Sequence, residues 1–492
     1  MFGFPTIDLD RESSKCGVSY VSENKVSRRD LLKGLIGGLV AGAVVGFAAN
    51  EVIRRRYVGP SPKPQPTAPI PSEPIKLGIQ AYLSGGGAIW GVPTQQGAVL
   101  AVEEINAAGG ILGRKIEYVT RPESKPEETV REFRALALED KIDFYVGLIS
   151  SSNTPAVAPV AEELGVLSIF VDGCTDFLFE KVVPDPKFSF RVTNIQSVDG
   201  TSAALGAIKL LGLMEKDRVK VAHIHPDYSY GRNAYAHTQI VFEKVLGKDR
   251  VEIVYEAFPG LFQVTDFTPY ITEMLASGAD VVVTSLWGAD LINFYKQAMG
   301  YGLFDKMKVV STIAHAASPH EAVKDYPDGH IAGVHGNYFF LYPDHDKYPI
   351  NKSFVENYHR RWGVYPDSPA EGAYVAVYLY KEAVERAYEV VGKWPEVDDI
   401  IKAMEGITIY GPAGPLHIRA NKPNKHQGYK DAIVGLSKFD PDYGFSVLSK
   451  PVVIPISRIV VPEGWTGSPH PKAGTLAASW IEQTWKEGVL PV

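Results

Sequence analysis

From Ile75 onward, short apolar runs alternate with stretches whose apolar residues recur every three or four positions. The first run, 75–82, reads as a strand. In 93–108, Ala98, Ala101, Val102 and Ile105 share one helical face, and Gly109-Gly110 then supplies a permissive C-terminal stop. The same alternation predicts a strand at 115–119, a helix at 126–139, a strand at 143–148, a helix at 155–164 and a strand at 166–171. A second series begins with a strand at 219–224 and continues as helix 231–245, strand 251–255, helix 269–276, strand 281–285 and helix 290–299. Strand–helix–strand units of this kind form mainly parallel sheets covered by helices on both faces, since a parallel crossover needs a helix-length connection. Two such series predict two sheets. In open α/β sheets a ligand crevice lies beyond the carboxyl ends of the strands, where strand order reverses, so two sheets facing each other predict a cleft.

The first 74 residues lack this alternation. Ser27-Arg28-Arg29-Asp30-Leu31-Leu32-Lys33 has the form of a twin-arginine export signal, with Arg28 and Arg29 as its defining pair, and the uncharged stretch 34–50 follows it directly. That stretch is near the lower limit for spanning a bilayer. A small-x-small site at Gly46-Phe47-Ala48 suits cleavage, whereas Arg54-Arg55-Arg56 suits the outer flank of a retained anchor, and both outcomes stay open. Residues 57–75 are so dense in proline that an extended spacer is expected between this segment and the body.

Composition narrows the partners. With 45% hydrophobic and 22% charged residues over 492 positions, the chain can bury two or three sizeable cores. A formal net charge of −7 offers no basic excess for phosphate neutralisation, so nucleic acid is not expected as a partner. Only two cysteines occur, Cys16 and Cys174; the first precedes the export signal, so no intramolecular disulfide is expected. His223, His225 and Asp227 alternate along a strand but lack a further spaced ligand cluster, so a strand end feeding a loop explains them better, and His315, His320, His330 and His335 share no ligand spacing. No G-x-S-x-G elbow and no G-x-G-x-x-G fingerprint stands at the required offset. Neither an enzyme, a cofactor nor a metal is expected on these grounds.

The stretch GAVLAVEEINAAGGILGRKIEYV, from Gly97 to Val119, closely resembles the opening helix of the periplasmic leucine/isoleucine/valine-binding protein family. The resemblance continues through 127–152, PVAEELGV at 159–166, Tyr230-Gly231-Arg232 and Gly411-Pro412-Ala413-Gly414-Pro415, and covers about 75–460. It implies an α/β, two-lobed type I periplasmic binding fold: a mainly parallel sheet flanked by helices in each lobe, and three hinge crossovers. Lobe 1 is then 76–195 with 336–412, lobe 2 is 196–335 with 413–462, and the tail 463–492 has no assignment. The implied function is that of an extracytoplasmic substrate-binding protein of an ABC importer, which binds a small carboxylate-, amide- or amino-acid-like molecule and docks on a membrane permease. A ligand-sensing receptor or regulator on the same fold is the alternative.

Carried onto this chain, the resemblance names the ligand-binding residues. Trp90, in the loop SGGGAIWG, supplies an aromatic wall; Ser151 and Ser152 lie where hydroxyls and N–H groups open the helix after the third strand, with Thr154 as its N-cap. Gly173 and Thr175 match backbone and hydroxyl contacts after the fourth strand, and Tyr230 and Trp287 match aromatics of the second lobe. Members that bind amino acids present a carboxylate to the ammonium group from the loop at 311–315, where this chain has Ile313. A buried ammonium without an anion is costly. A standard α-amino acid is therefore disfavoured as ligand unless Asp227 or Asp290 takes that role.

Overall fold

The computed structural model describes residues 68–341 and 349–492. The export motif, the apolar stretch and most of the proline-rich spacer lie outside these residues. Strand β1 (Ile75–Ala81) is buried everywhere except Lys76, as a strand covered on both faces must be. Helix α1 (Ala88–Ala107) follows, then β2 (Ile116–Pro122), α2 (Pro126–Ala135), β3 (Phe144–Gly147), α3 (Asn153–Leu164), β4 (Ser168–Phe170) and β5 (Ser189–Arg191). The chain then forms α4 (Gln196–Leu210), β6 (Val219–Ile224), α5 (Ser229–Leu246), β7 (Val251–Ala257), α6 (Thr268–Ser277), β8 (Val281–Thr284) and α7 (Gly288–Gly300). After α8 (Leu303–Lys306), β9 (Lys308–Ser311), α9 (Pro319–Ala322) and β10 (Ile331–Gly333) come α10 (Pro349–Trp362), α11 (Ser368–Val391) and α12 (Val397–Met404). The last elements are β11 (Thr408–Gly411), β12 (Gly414–Ile418), β13 (Gly428–Tyr429), β14 (Ala432–Asp440), β15 (Phe445–Ile454) and α13 (Leu476–Thr484).

Two sheets result. The first has the order β2-β1-β3-β4-β5, with every neighbouring pair parallel. The second has the order β15-β14-β10-β9-β8-β6-β7, parallel from β10 to β7 and antiparallel where β14 joins β10 and β15. This is the mixed α/β type I periplasmic binding architecture, mostly parallel sheets flanked by helices. The chain passes between the sheets three times: after β5, after β10, and between β13 and β14. The expected boundary at 412 falls in the turn of the β11–β12 hairpin, and Ile409, Leu416 and Ile418 on its two strands pack in the first core. The hairpin stays with the first sheet because those apolar side chains alternate toward its core.

Helix α1 begins a full turn before the expected Pro93. Proline has no N–H for the carbonyl four residues back, so Ile89 O lacks its helical partner and accepts instead from the Ser318 hydroxyl at 2.6 Å. The predicted helix at 126–139 ends as a π turn over Leu136–Asp140. The tail is folded too: Ile481 of α13 is buried in the second core, while Leu476 N donates to Glu180, on the first sheet's side, at 3.1 Å.

At the contact of α1 with α11 the backbones nearly touch, because a Cβ on Gly97 would lie 2.0 Å from Ala370 O. Gly97→Ala must push the helices apart and should cost ~1–3 kcal/mol in urea unfolding. Gly300→Ala, at the end of α7 with nothing within 4 Å, should be neutral or slightly stabilising by the same measurement.

Candidate functional site

In the first sheet β1 lies between β2 and β3, and in the second β6 lies between β7 and β8. Each is a point where strand order reverses, and there the loops leaving neighbouring strands diverge and open a crevice. The two crevices face one another. One cavity, with about 250 Å³ of empty space, is lined by Trp90 beyond β1, Ile149 and Ser151 beyond β3, and Asp172 and Cys174 beyond β4. Across it lie Tyr228 and Tyr230 beyond β6, Trp287 beyond β8, Ile313 beyond β9 and His335 beyond β10. Every lining residue follows the carboxyl end of a parallel strand. The sides already touch: Ala289 N donates to Gly86 O at 3.2 Å.

The walls are aromatic. Trp90 and Trp287 meet edge to face with centroids 5.7 Å apart, and Phe262 backs Trp287 at 4.8 Å. Two donor groups of the second side are already used: Trp287 Nε1 donates to the Tyr228 hydroxyl at 2.9 Å, and the Tyr230 hydroxyl donates to Asp199 at 3.2 Å. Trp90 sits in the first turn of α1, not in a loop, and its carbonyl accepts from Thr94 Oγ1 at 3.0 Å.

The floor is charged. Asp199 and Asp172 lie on opposite sides of His335, with Nδ1 2.7 Å from Asp199 Oδ2 and Nε2 3.0 Å from Asp172 Oδ1. All three are buried. Burial alone would lower the imidazole pKa, yet the two facing carboxylates hold it well above its usual value. Burial raises that of Asp199 and pushes the Cys174 thiol up to about 12.

Four of the expected residues, Trp90, Ser151, Tyr230 and Trp287, line this cavity; Ser152, Gly173 and Thr175 do not. Ser152 is exposed and its N–H donates to Ser150 Oγ at 3.1 Å. The N–H groups of Asn153 and Thr154 both donate to Ser150 O, so the helix opening has spent its donors locally and Thr154 is no N-cap. Gly173 N donates to Ile149 O, and Thr175 N to Gly173 O; the Thr175 hydroxyl accepts from Phe177 N at 3.3 Å. These two shape the loop. Gly173 has φ +60°, and a Cβ there would lie 1.7 Å from Thr154 Oγ1. Arg191, fully buried, donates to the carbonyls of Gly173 (2.8 Å) and Thr175 (2.9 Å).

Ile313 lines the cavity, while neither Asp227 nor Asp290 does. Asp227 is exposed and paired with Arg232 at 2.7 Å, and Asp290 accepts from Phe262 N at 2.9 Å. The carboxylate that reaches the cavity is Asp172, which the resemblance did not single out. His335 was set aside for want of sequence spacing; its partners lie 163 and 136 positions away in sequence, and only the fold joins them. His223 and His225 bond to each other at 3.1 Å, with Gln239 and Ser285 at the ends of the chain.

Glu123, at the end of β2, holds the loop that presents Ser151. It accepts from Ile149 N (2.9 Å), Ser150 N (2.8 Å) and Asn153 Nδ2 (2.8 Å). Burial nevertheless pushes its carboxyl up to about 7. A raised carboxyl pKa means that the stability it contributes is full below the unfolded value near 4.5 and is lost as pH rises through about 7. Unfolding free energy should therefore decline over this window, by roughly 3 kcal/mol at most from this group. Urea unfolding from pH 4.5 to 8 should show a shallower decline in Glu123→Gln, and an unchanged slope would reassign the effect.

Comparison with known proteins places the chain. The sequence pattern of the family described as periplasmic binding protein matches residues 74–435. A Leu/Ile/Val-binding protein homolog 7 from Brucella suis is 25% identical over 371 residues, 73% of this chain and 85% of the relative. Among solved structures, a solute binding protein of an ABC transporter from Rhodopseudomonas palustris, in complex with p-hydroxybenzoic acid, superposes with a TM-score of 0.64 at 22% identity, covering 77% of this chain and 97% of that one. A leucine binding protein from Thermotoga maritima gives 0.62 at 21% identity, with 78% and 99% covered. With its strand order, its three passages between sheets and its match over 74–435, the chain belongs to the periplasmic binding protein family.

Proposed function

We propose that this protein is the extracytoplasmic substrate-binding component of an ABC importer. It closes two lobes on a small molecule, catalyses nothing, and delivers its cargo to a membrane permease. The observation that carries this reading is the origin of the cavity lining: seven strand-end loops, from both sheets, converge on one cavity, and the chain passes between those sheets at three crossovers. A ligand that touches both sides favours the closed form by the contacts it gains only there. The cargo is a small amino-acid-, amide- or carboxylate-like molecule. Its apolar part lies against Trp90, Tyr230, Trp287 and Ile313, and its polar end meets Ser151, Asp172 and His335. The relatives support this range, since one solved neighbour holds p-hydroxybenzoic acid and another is a leucine binding protein.

Asp172 changes the expectation drawn from Ile313. A carboxylate already on the floor can take an ammonium or amide donor, so phenylalanine should bind at least as tightly as 3-phenylpropionate. Calorimetry on the pair decides this, and clear preference for the acid overturns it. A melting screen of amino acids, amides and carboxylates should yield a ligand that raises Tm. Trp90→Ala and Trp287→Ala should each weaken that ligand by ~1–3 kcal/mol; unchanged affinity in both would remove the cleft reading.

Export is assigned to the twin-arginine route. Among the described residues no helix is long and apolar enough to cross a membrane; the stretch 34–50 lies outside them, and we take it as signal or anchor. Replacing Arg28 and Arg29 together with Lys should trap the precursor inside the cell, as read by fractionation. Continued export would reject the assignment.

A further inference from the structure

The cavity floor holds a set of donors that capture of an organic molecule does not require. A carboxylate, a thiol and an imidazole, those of Asp172, Cys174 and His335, bring their ligand atoms within 4.8 Å of one another, and all three residues are buried. Asp172 and Cys174 stand on either side of Gly173, whose positive φ turns the loop, and both line the cavity. His335 enters from the second passage between the sheets.

We propose that this cleft binds a borderline transition-metal ion of the Zn²⁺, Co²⁺ or Ni²⁺ class on Asp172, Cys174 and His335, leaving a coordination position open to the captured molecule. The proposal concerns the same cavity and rests on its reading as the binding cleft. Three features of the page support it. First, the ligand set mixes soft and borderline donors; a thiolate beside an imidazole selects these ions over Mg²⁺ and Ca²⁺, which prefer oxygen ligands alone.

Second, the imidazole is already oriented for the task. Its Nδ1 donates to Asp199 at 2.7 Å, and Asp199 is itself held by the Tyr230 hydroxyl. Metal-bound histidines commonly donate the other ring N–H to such a carboxylate, which fixes the tautomer and leaves Nε2 for the ion. Third, buried His335 Nε2 faces Asp172 Oδ1 at 3.0 Å, so imidazole and carboxylate already stand side by side where an ion would take both. An ion at ~2.0–2.3 Å from each donor needs the three to draw together by about 1 Å, a shift within reach of side-chain rotation.

Coordination releases the thiol proton to solvent, and the His335 proton on Nε2 when it is present; nothing is oxidised or reduced. Ser151 and the aromatic walls line the same cavity. There the amine or carboxylate of a small molecule can complete the coordination, so the matching cargo class is a chelating small acid or amino acid.

The test uses the full-length chain carrying Cys16→Ser, so that Cys174 is the only thiol, dialysed against chelator and titrated with CoCl₂. One equivalent should bind, with a thiolate-to-cobalt charge-transfer band in the near ultraviolet, and Zn²⁺ but not Mg²⁺ should displace it. Cys174→Ser should abolish the band. Asp199→Asn, which leaves all three ligands in place, should keep the band and weaken affinity ~10–100-fold. Melting curves and near-ultraviolet circular dichroism confirm that each variant is folded. No stoichiometric binding, or binding that Cys174→Ser leaves unchanged, overturns the proposal. Organic-ligand capture that persists in chelator while cobalt fails to bind rejects the metal and leaves the capture reading standing. Cobalt binding with the stated signature supports the metal whether or not the ligand screen yields a molecule.

Discussion

A guanidinium taken out of water has to be surrounded by acceptors, and the arrangement around Arg191 shows what that constraint organises. Arg191 ends the last strand of the first sheet, is fully buried, and has its pKa lowered by that burial. Its acceptors are carbonyls and an amide: Gly173 O, Thr175 O and Gln427 Oε1 at 2.7 Å. Two of them belong to the cavity-floor loop and the third lies just before β13, ahead of the last passage between the sheets. One side chain thereby fixes the curvature of the loop bearing Asp172 and Cys174 and ties it to the hinge. Beside it, Asn194 and Lys430 exchange two bonds across the first and third passages, at 3.1 and 3.0 Å. The buried Lys430 ammonium pairs with Glu371 of α11. Charges buried in this way give little net stability, yet removing one partner strands the other, so the joint has few alternative arrangements.

The cavity floor repeats the theme. Its imidazolium is held between carboxylates on the loop after β4 and on α4. With Arg191 behind the loop and His335 in front, Asp172 is positioned from both sides. The aromatic walls rest chiefly on packing, since Trp90, Trp287 and Phe262 form one contiguous cluster, with single hydrogen bonds from Trp287 to Tyr228 and from Tyr230 to Asp199.

Much of the fold was legible in the sequence because both sheets announce themselves by apolar runs. Val219–Ile224 appears at its expected bounds, and Val281–Thr284 is a buried β-branched run within one residue of them. The order of motifs carried the rest of the architecture. The walls of the site were legible as well, since aromatics at strand ends leave a local signature. The floor was not. His335, Asp172 and Asp199 are brought together by folding from three distant positions, and no spacing rule reaches that far. The residues around the α3 opening misled for the opposite reason: their pattern is that of an anion-binding helix start, but Ser150 O takes the N–H groups that an anion would need. Pattern records which groups are present and not which are already engaged.

The tail lies beyond the span that matches the family, 74–435, and it touches both sides of the joint. Leu476 N is bonded to Glu180 near the first sheet. Thr475 Oγ1 is 2.9 Å from His237 on α5, and Lys244 of the same helix donates to Glu482 O at 2.9 Å. Any widening of the cleft has to strain or release these bonds, none of which involves a cavity residue. The strap thus acts on the joint through groups that never touch a cargo, and under the proposed capture role substitutions in it bear on residence time rather than on which cargo is chosen.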